Sequence, residues 1–250
     1  MTVEYGGKNI YGATIGIMML DTQFPRIKGD IANATTWQFP VQYRIVKGAS
    51  PDLVVRHKAK GLLDKFIFAA KDLIDHGADA LTTNCGFLSL IQDEVRTAVG
   101  VPVATSSLLQ VPMVNAMLGG DLRAAILTIS KAHLTEEHLR CAGVPIDTPI
   151  GGTDGGEFSK VILDDLPEMD FEKCRAEHID ASADLVRNNN NIGAIVLECT
   201  NMAPYAADIR KVTQVPIYSI YSLICWLQAG TAPRRFEHKL EDPRFSFANS

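Results

Sequence analysis

Two short stretches carry side chains able to do chemistry. LTTNCGFLSL, residues 81–90, and AIVLECTNMA, residues 194–203, each place a thiol at the end of an apolar run. Cys85 sits among Thr82, Thr83, Asn84 and Gly86; Cys199 sits among Glu198, Thr200 and Asn201. An unperturbed thiol titrates near pKa ~8.5, so a modest shift lets it take or give a proton at neutral pH. Two thiols on opposite sides of one carbon could remove its proton from one face and return one to the other. Free cysteine more often serves as a small buried hydrophobe, which is the reading adopted for Cys141, Cys174 and Cys225. The matched settings set Cys85 and Cys199 apart.

The elements that must position these thiols repeat. TIGIMML (14–20), ADALTT (78–83), VPVATS (101–106), RAAILTIS (123–130), GAIVLECT (193–200) and VPIYSI (215–220) are short apolar runs that suit strands buried on both faces. Helical patterns lie between them, over 51–76, 87–98, 107–118, 133–142, 171–188 and 203–213, with Ser50-Pro51 as a helix start. Such alternation predicts βαβ units with a parallel sheet. Pro102 follows Cys85 by 17 positions and Pro216 follows Cys199 by 17, and each opens a V-P strand. The expected fold is therefore α/β: two similar doubly wound parallel-sheet units related by a pseudo-two-fold duplication. Residues 1–119 form the first unit and 120–250 the second, with the C-terminal segment a candidate to cross back to the first. The active site is expected in the cleft between them.

In open α/β sheets ligands bind beyond the carboxyl ends of the strands, where helix N-termini point their amides. Both thiols fall at that end, where a helix dipole would lower their pKa. The long segment LDTQFPRIKGDIANATTWQFPVQYRIV, 20–46, follows the first strand and reads as an active-site lid. Asp21 and Thr22 would enter the cleft, and Arg26 could pair bidentately with a carboxylate. Thr105, Ser106, Ser107 and Ser219 end strands and could donate to a substrate, though Ser107 could equally cap the next helix. Thr128, Ser130 and Lys131 mirror Asp21 in the second half. GGTDGGEF, 151–158, matches no nucleotide motif and reads as a loop leading to a helix.

TTNCGF and LECTNM on a duplicated α/β chain resemble the aspartate/glutamate racemase superfamily. That group includes amino-acid and hydantoin racemases, maleate isomerase and arylmalonate decarboxylase, with algal dimethylsulfoniopropionate lyases as relatives. The resemblance implies cofactor-independent chemistry at an interdomain cleft, with Cys85 and Cys199 as the catalytic acid–base pair. It implies substrate-binding positions at Asn84, Gly86, Thr200 and Asn201. Gly86 and Phe87 stand where the amino-acid racemases carry Asn and Thr, and Asn201 and Met202 where acidic residues or histidine are common. Phe87 thus adds an aromatic wall to the pocket. Both thiols are kept, whereas the decarboxylase works with one.

The first expectation is a racemase or epimerase moving a proton beside a carboxylate. The second is a lyase of the same superfamily, whose aromatic-lined pocket would hold a sulfonium by cation–π contact. A non-catalytic small-carboxylate binding protein is the reading of another class. A net charge of −5 points away from nucleic acid and anionic membranes. No apolar run approaches a bilayer span, and MTVEYGGKNI lacks the regions of a secretory signal. Five cysteines without a CxxC pair suit reduced thiols in a cytoplasmic protein. No cofactor and no metal are expected; the partners expected are a small carboxylate substrate and a second copy of the chain, as a dimer.

Overall fold

Ile15–Leu20 (β1) is buried at all six positions and begins the first sheet of the computed structural model, which describes residues 3–236. Val41–Val46 (β2), Ala80–Thr83 (β3) and Val103–Ala104 (β4) join it, all parallel, in the order β2-β1-β3-β4. Arg123–Thr128 (β5), Ile150–Gly152 (β6), Ile192–Leu197 (β7) and Ile217–Tyr218 (β8) form the second sheet, again parallel, in the order β6-β5-β7-β8. The two orders are the same, so the duplication visible in the sequence is a duplication of topology. β2 closes the segment read as one long lid; as a partly exposed edge strand it lacks the continuous apolar signature of its neighbours. β6 reaches into the glycine-rich stretch, where two glycines hide a strand.

The helices follow their capping chemistry. Ser50 Oγ accepts from Leu53 N at 3.2 Å, with Pro51 in the first turn, and starts Pro51–Val55 (α1). The single helix expected over 51–76 divides here, because Lys58 and Ala59 turn to φ 53° before Leu63–Asp75 (α2) begins. Gln92–Ala98 (α3) and Gln110–Met117 (α4) complete the first half. Glu136–Cys141 (α5), Glu157–Leu163 (α6), Phe171–Arg187 (α7), Ala206–Thr213 (α8) and Ile220–Thr231 (α9) belong to the second. None of the described helices is long and apolar enough to cross a membrane.

The halves exchange their last helices. α4 leaves the first sheet and packs on β5 and β7, whereas α9 leaves the second and packs on β1 and β3. Ile220, Leu223, Ile224 and Leu227 of α9 share a core with Ile15, Ile17 and Met19. Burying an aliphatic side chain of this size stabilises by about 1.5–3 kcal/mol, so the exchange ties each sheet to the other half. The crossing is also hydrogen-bonded: Gln110 Nε2 donates to Ser219 O at 2.9 Å, and Ser222 Oγ to Gln110 Oε1 at 2.9 Å.

Two histidines are fully buried in this core. His138 accepts from Thr135 N at its Nδ1 and turns its ring edge-on to Phe87. His178 donates through Nδ1 to Cys174 O and stacks on Tyr205. Burial depresses each from 6.5 to about 4, so both are neutral in the folded chain. Between those values the unfolded chain binds more protons, and stability falls as pH is lowered, by roughly 1 kcal/mol per pH unit for each histidine. Glu198, raised from 4.5 to about 7, acts in the opposite sense but is one group against two. The expected outcome is a melting temperature that drops on going from pH 6.5 to pH 5, with a shallower drop in His178→Phe. Melts recorded at the two pH values that coincide would refute it.

Candidate active site

The ends of β3 and β7 meet at the centre of the molecule. Thr200 Oγ1 donates to Asn84 O at 2.6 Å, and Ser107 Oγ donates to Leu197 O at 2.6 Å and Glu198 O at 2.9 Å. Hydroxyls from each half thus satisfy strand-end carbonyls of the other, and they hold the two thiol-bearing turns together. Gly86 makes the approach possible. A Cβ built on it would lie 2.2 Å from Glu198 Oε1 and 2.3 Å from Glu198 O, far inside contact distance.

Between the turns is a cavity of about 20 Å³, room for little more than one water. Cys85, Cys199, Asn84, Asn201 and Glu198 give its polar side, and Leu20, Phe24, Val55, Phe87, Ile129 and Ile162 much of its apolar side. Asn84 Oδ1 accepts from Leu20 N at 2.7 Å, which turns its Nδ2 inward with no hydrogen-bond partner. Asn201 Nδ2 donates to Asp30 Oδ2, so its Oδ1 faces Cys199 and accepts from the thiol at 3.4 Å. Asp30 is 2% exposed and is held in turn by Arg26 Nη1 at 3.3 Å and Ala32 N at 2.7 Å. Asp165 Oδ1 accepts from Gln23 N at 2.8 Å and Phe24 N at 3.2 Å, tying the segment after β1 to the second half.

The thiols are not thiolates in this state. Each precedes a six-residue 3-10 turn, Gly86–Ile91 or Thr200–Tyr205, and amides do point at the sulfurs, Phe87 N and Leu88 N at Cys85 and Asn201 N at Cys199. Burial and the neighbouring Glu198 outweigh those amides: Cys85 is pushed up from 9.0 to about 12, and Cys199 well above its usual value. The depressed pKa expected from helix dipoles is thus overturned, because desolvation of a charge in a dry cavity exceeds the effect of two or three amide dipoles. Burial likewise lifts Glu198 to about 7.

Several residues singled out by sequence lie elsewhere. Asp21 bends back to Gly48 N at 3.2 Å and Lys47, away from the cavity. Thr22 accepts from Arg26 Nη2 at 2.8 Å, and Arg26 stacks on Phe24 with 4.1 Å to the ring centroid. With its donors committed to Thr22 and Asp30, Arg26 serves as an anchor for Asp30 rather than as a free carboxylate clamp. Thr105 bonds to Gln92 Oε1 through both N and Oγ1, and Ser106 caps Leu108 N. Both therefore maintain local structure, and the capping role expected of Ser107 falls to Ser106. Thr128 donates to Glu198 Oε2 at 2.7 Å, while Ser130 and Lys131 bond to Asp154. Ser219 caps α9. Asn84, Cys85, Phe87, Cys199 and Asn201 do line the cavity; Gly86 and Thr200 are buried but do not line it.

Glu198 and Asp30 are the residues of the site to which sequence reasoning gave no role. Glu198 had a signal, a carboxyl group ending an otherwise apolar strand. Asp30 had none, because its partner Asn201 lies 171 positions away.

Known proteins share this architecture. No protein-family model matches the chain. It is 28% identical to a dimethylsulfoniopropionate lyase of Durusdinium sp. clade D, covering 84% of this chain and 72% of that protein. It is 30% identical to dimethylsulfoniopropionate lyase 2 of Emiliania huxleyi, covering 87% and 72%. Among solved structures, a Gly74Cys mutant of arylmalonate decarboxylase superposes with a TM-score of 0.59 at 15% identity, over 90% of this chain and 96% of that one. Picrophilus torridus aspartate racemase gives 0.57 at 13%, over 90% and 96%.

Two outcomes follow from the geometry. Gly86→Ala should lower stability by about 1–3 kcal/mol, several degrees of melting temperature, as Glu198 is displaced; a melting curve unchanged from the parent would contradict the close approach. Alkylation of Cys85 by iodoacetamide, followed by peptide mass spectrometry, should be slow at pH 7 and still accelerating at pH 9. A plateau below pH 8 would mean that the thiol ionises far more readily than its burial implies.

Proposed function

This chain belongs to the aspartate/glutamate racemase superfamily and, within it, to the family that includes the dimethylsulfoniopropionate lyases, and we propose that it is a cofactor-independent lyase eliminating a neutral sulfide from a β-sulfonio carboxylate such as dimethylsulfoniopropionate. One thiolate takes the proton from the carbon beside the carboxylate. The C–S bond breaks and its electron pair leaves on the sulfide, the two carbons become an alkene, and one proton remains on the thiol.

The observation that carries this reading is the charge balance of the cavity. Two thiols and a carboxyl group face it, and no lysine, arginine or histidine lines it among the described residues. Thiols held neutral by burial and by Glu198 ionise more readily with a positive charge beside them. A sulfonium brings that charge, and an opposite charge within ~4–6 Å shifts a pKa strongly toward the ionised form. Phe24 and Phe87 supply rings against which a sulfonium packs. The unpartnered Asn84 Nδ2 is a donor for the substrate carboxylate, and it would stabilise the charge that spreads onto that carboxylate as the proton leaves. The two dimethylsulfoniopropionate lyases named above support the same choice.

A racemase or epimerase is the second reading, favoured by one observation: both thiols border one cavity, as two-face proton transfer requires. Proton NMR in heavy water separates the two. With dimethylsulfoniopropionate, vinyl and methyl sulfide signals are expected, and serine at the thiol acting as base should lower the rate by about 10²–10⁴-fold. Loss of a Cα–H signal from an otherwise intact amino acid or hydantoin, with no sulfide formed, would replace the lyase by the racemase. Full activity in both Cys85→Ser and Cys199→Ser would remove thiol chemistry altogether.

A further inference from the structure

Elimination differs from racemisation in its proton account. Racemisation returns a proton to the substrate, whereas each elimination leaves one behind in the cavity, which something must carry away. Around this cavity few groups can. Asn84 and Asn201 do not titrate, and Arg26 is committed to Asp30 and Thr22. Asp30 accepts from Arg26, Ala32 N and Asn201, so its oxygens are occupied.

Glu198 is built differently. It is fully buried at the end of β7 and carries the only carboxyl group among the described residues lining the cavity. Its Oε2 accepts from Thr128 Oγ1 at 2.7 Å, but its Oε1 has no hydrogen-bond partner. A carboxyl group kept for structure is normally saturated with donors; this one leaves an oxygen open on a residue that lines the same cavity as both thiols. The segments packed on it, the end of β5, Gly86–Ile91 and Ser107–Leu109, bring no ionisable side chain to it. The titratable groups around the cavity are therefore Cys85, Cys199 and Glu198, with Arg26 and Asp30 behind Asn201.

We propose that Glu198 is the proton acceptor of the thiol pair, taking the thiol proton as a cationic substrate enters and passing it to water when the products leave. This rests on the elimination reading. The cycle balances. The resting pair is thiol and carboxylate. Transfer of the thiol proton to Glu198 puts the negative charge on sulfur beside the sulfonium and removes the carboxylate charge that opposes it. The thiolate then takes the Cα proton, sulfide and alkene depart, and Glu198 gives its proton to solvent: one proton out per turnover. A carboxyl group titrating at about 7 is suited to both halves of that exchange at neutral pH.

The test compares the full chain with Glu198→Gln and Glu198→Asp. For the parent, kcat/KM should rise with pH through a midpoint near 7, since the acceptor must be ionised in the free enzyme. In Glu198→Gln that limb should vanish, kcat should fall by about 10²-fold and KM should change by less than about threefold. Alkylation of Cys85, measured without substrate, should become several-fold faster in the same variant, because a like charge has gone. Faster thiol reaction with slower turnover is the signature; a purely electrostatic or structural role would move the two together. Glu198→Asp, which keeps an ionisable group, should retain the limb. Glu198→Gln with the parent's kcat and pH profile overturns the inference, as does Glu198→Asp behaving like Gln with its melting temperature intact. A parent chain that forms no sulfide overturns the elimination reading and this inference with it, whereas a parent that eliminates and a variant that matches it overturn the inference alone.

Discussion

At the centre of the molecule two strand-end turns lie against each other, and the rest of the chain serves that contact. Backbone carbonyls at the ends of β3 and β7 accept hydroxyl donors from the opposite half, Thr200 on Asn84 O and Ser107 on Leu197 O and Glu198 O. Buried carbonyls left without donors would each cost on the order of 1–3 kcal/mol, so separating the halves is expensive. A side chain of any size at position 86 would hold the turns apart. The helix exchange reinforces the same contact from outside: α4 and α9 each cover the sheet of the other half, so neither sheet keeps its core if the halves part.

Such closeness sets the chemistry. A small, apolar-walled cavity strips water from every ionisable group on it, and desolvation dominates each of the three. The amides at the start of the short 3-10 turns work in the other direction and lose. Both thiols therefore rest protonated beside Glu198, and an approaching positive charge would favour their ionisation.

Orientation within the cavity comes from a chain of pairings. Thr22 and Asp30 hold Arg26, Asp30 fixes the amide of Asn201, and Asn201 presents its oxygen to Cys199. Arg26, Asp30 and Asn201 thus join the segment after β1 to the second half and to Cys199. The hydrogen bonds of Asp165 to Gln23 N and Phe24 N hold the same segment down from the other side.

Much of this was legible in the one-dimensional pattern. Strands buried on both faces read as continuous apolar runs, which located β1, β3, β5 and β7, and the equal Cys-to-Pro intervals revealed two copies of one unit. The thiols declared themselves because a polar cluster at the end of such a run is costly unless used. Edge strands β2 and β6 stayed hidden, since partial exposure and glycine erase the periodicity on which sequence reading depends. The helix over 51–76 broke at Lys58 and Ala59, neither a residue type that marks a left-handed turn. Sequence alone also set the thiols at the ends of parallel strands, because chain order and hydrophobic pattern suffice for that. Their protonation, the open oxygen of Glu198, the diversion of Asp21 and Arg26 to other partners and the pairing of Asp30 with Asn201 were decided only by tertiary structure. Those properties depend on which distant groups exclude water and which donate hydrogen bonds, and that information exists only once the two halves have closed on each other.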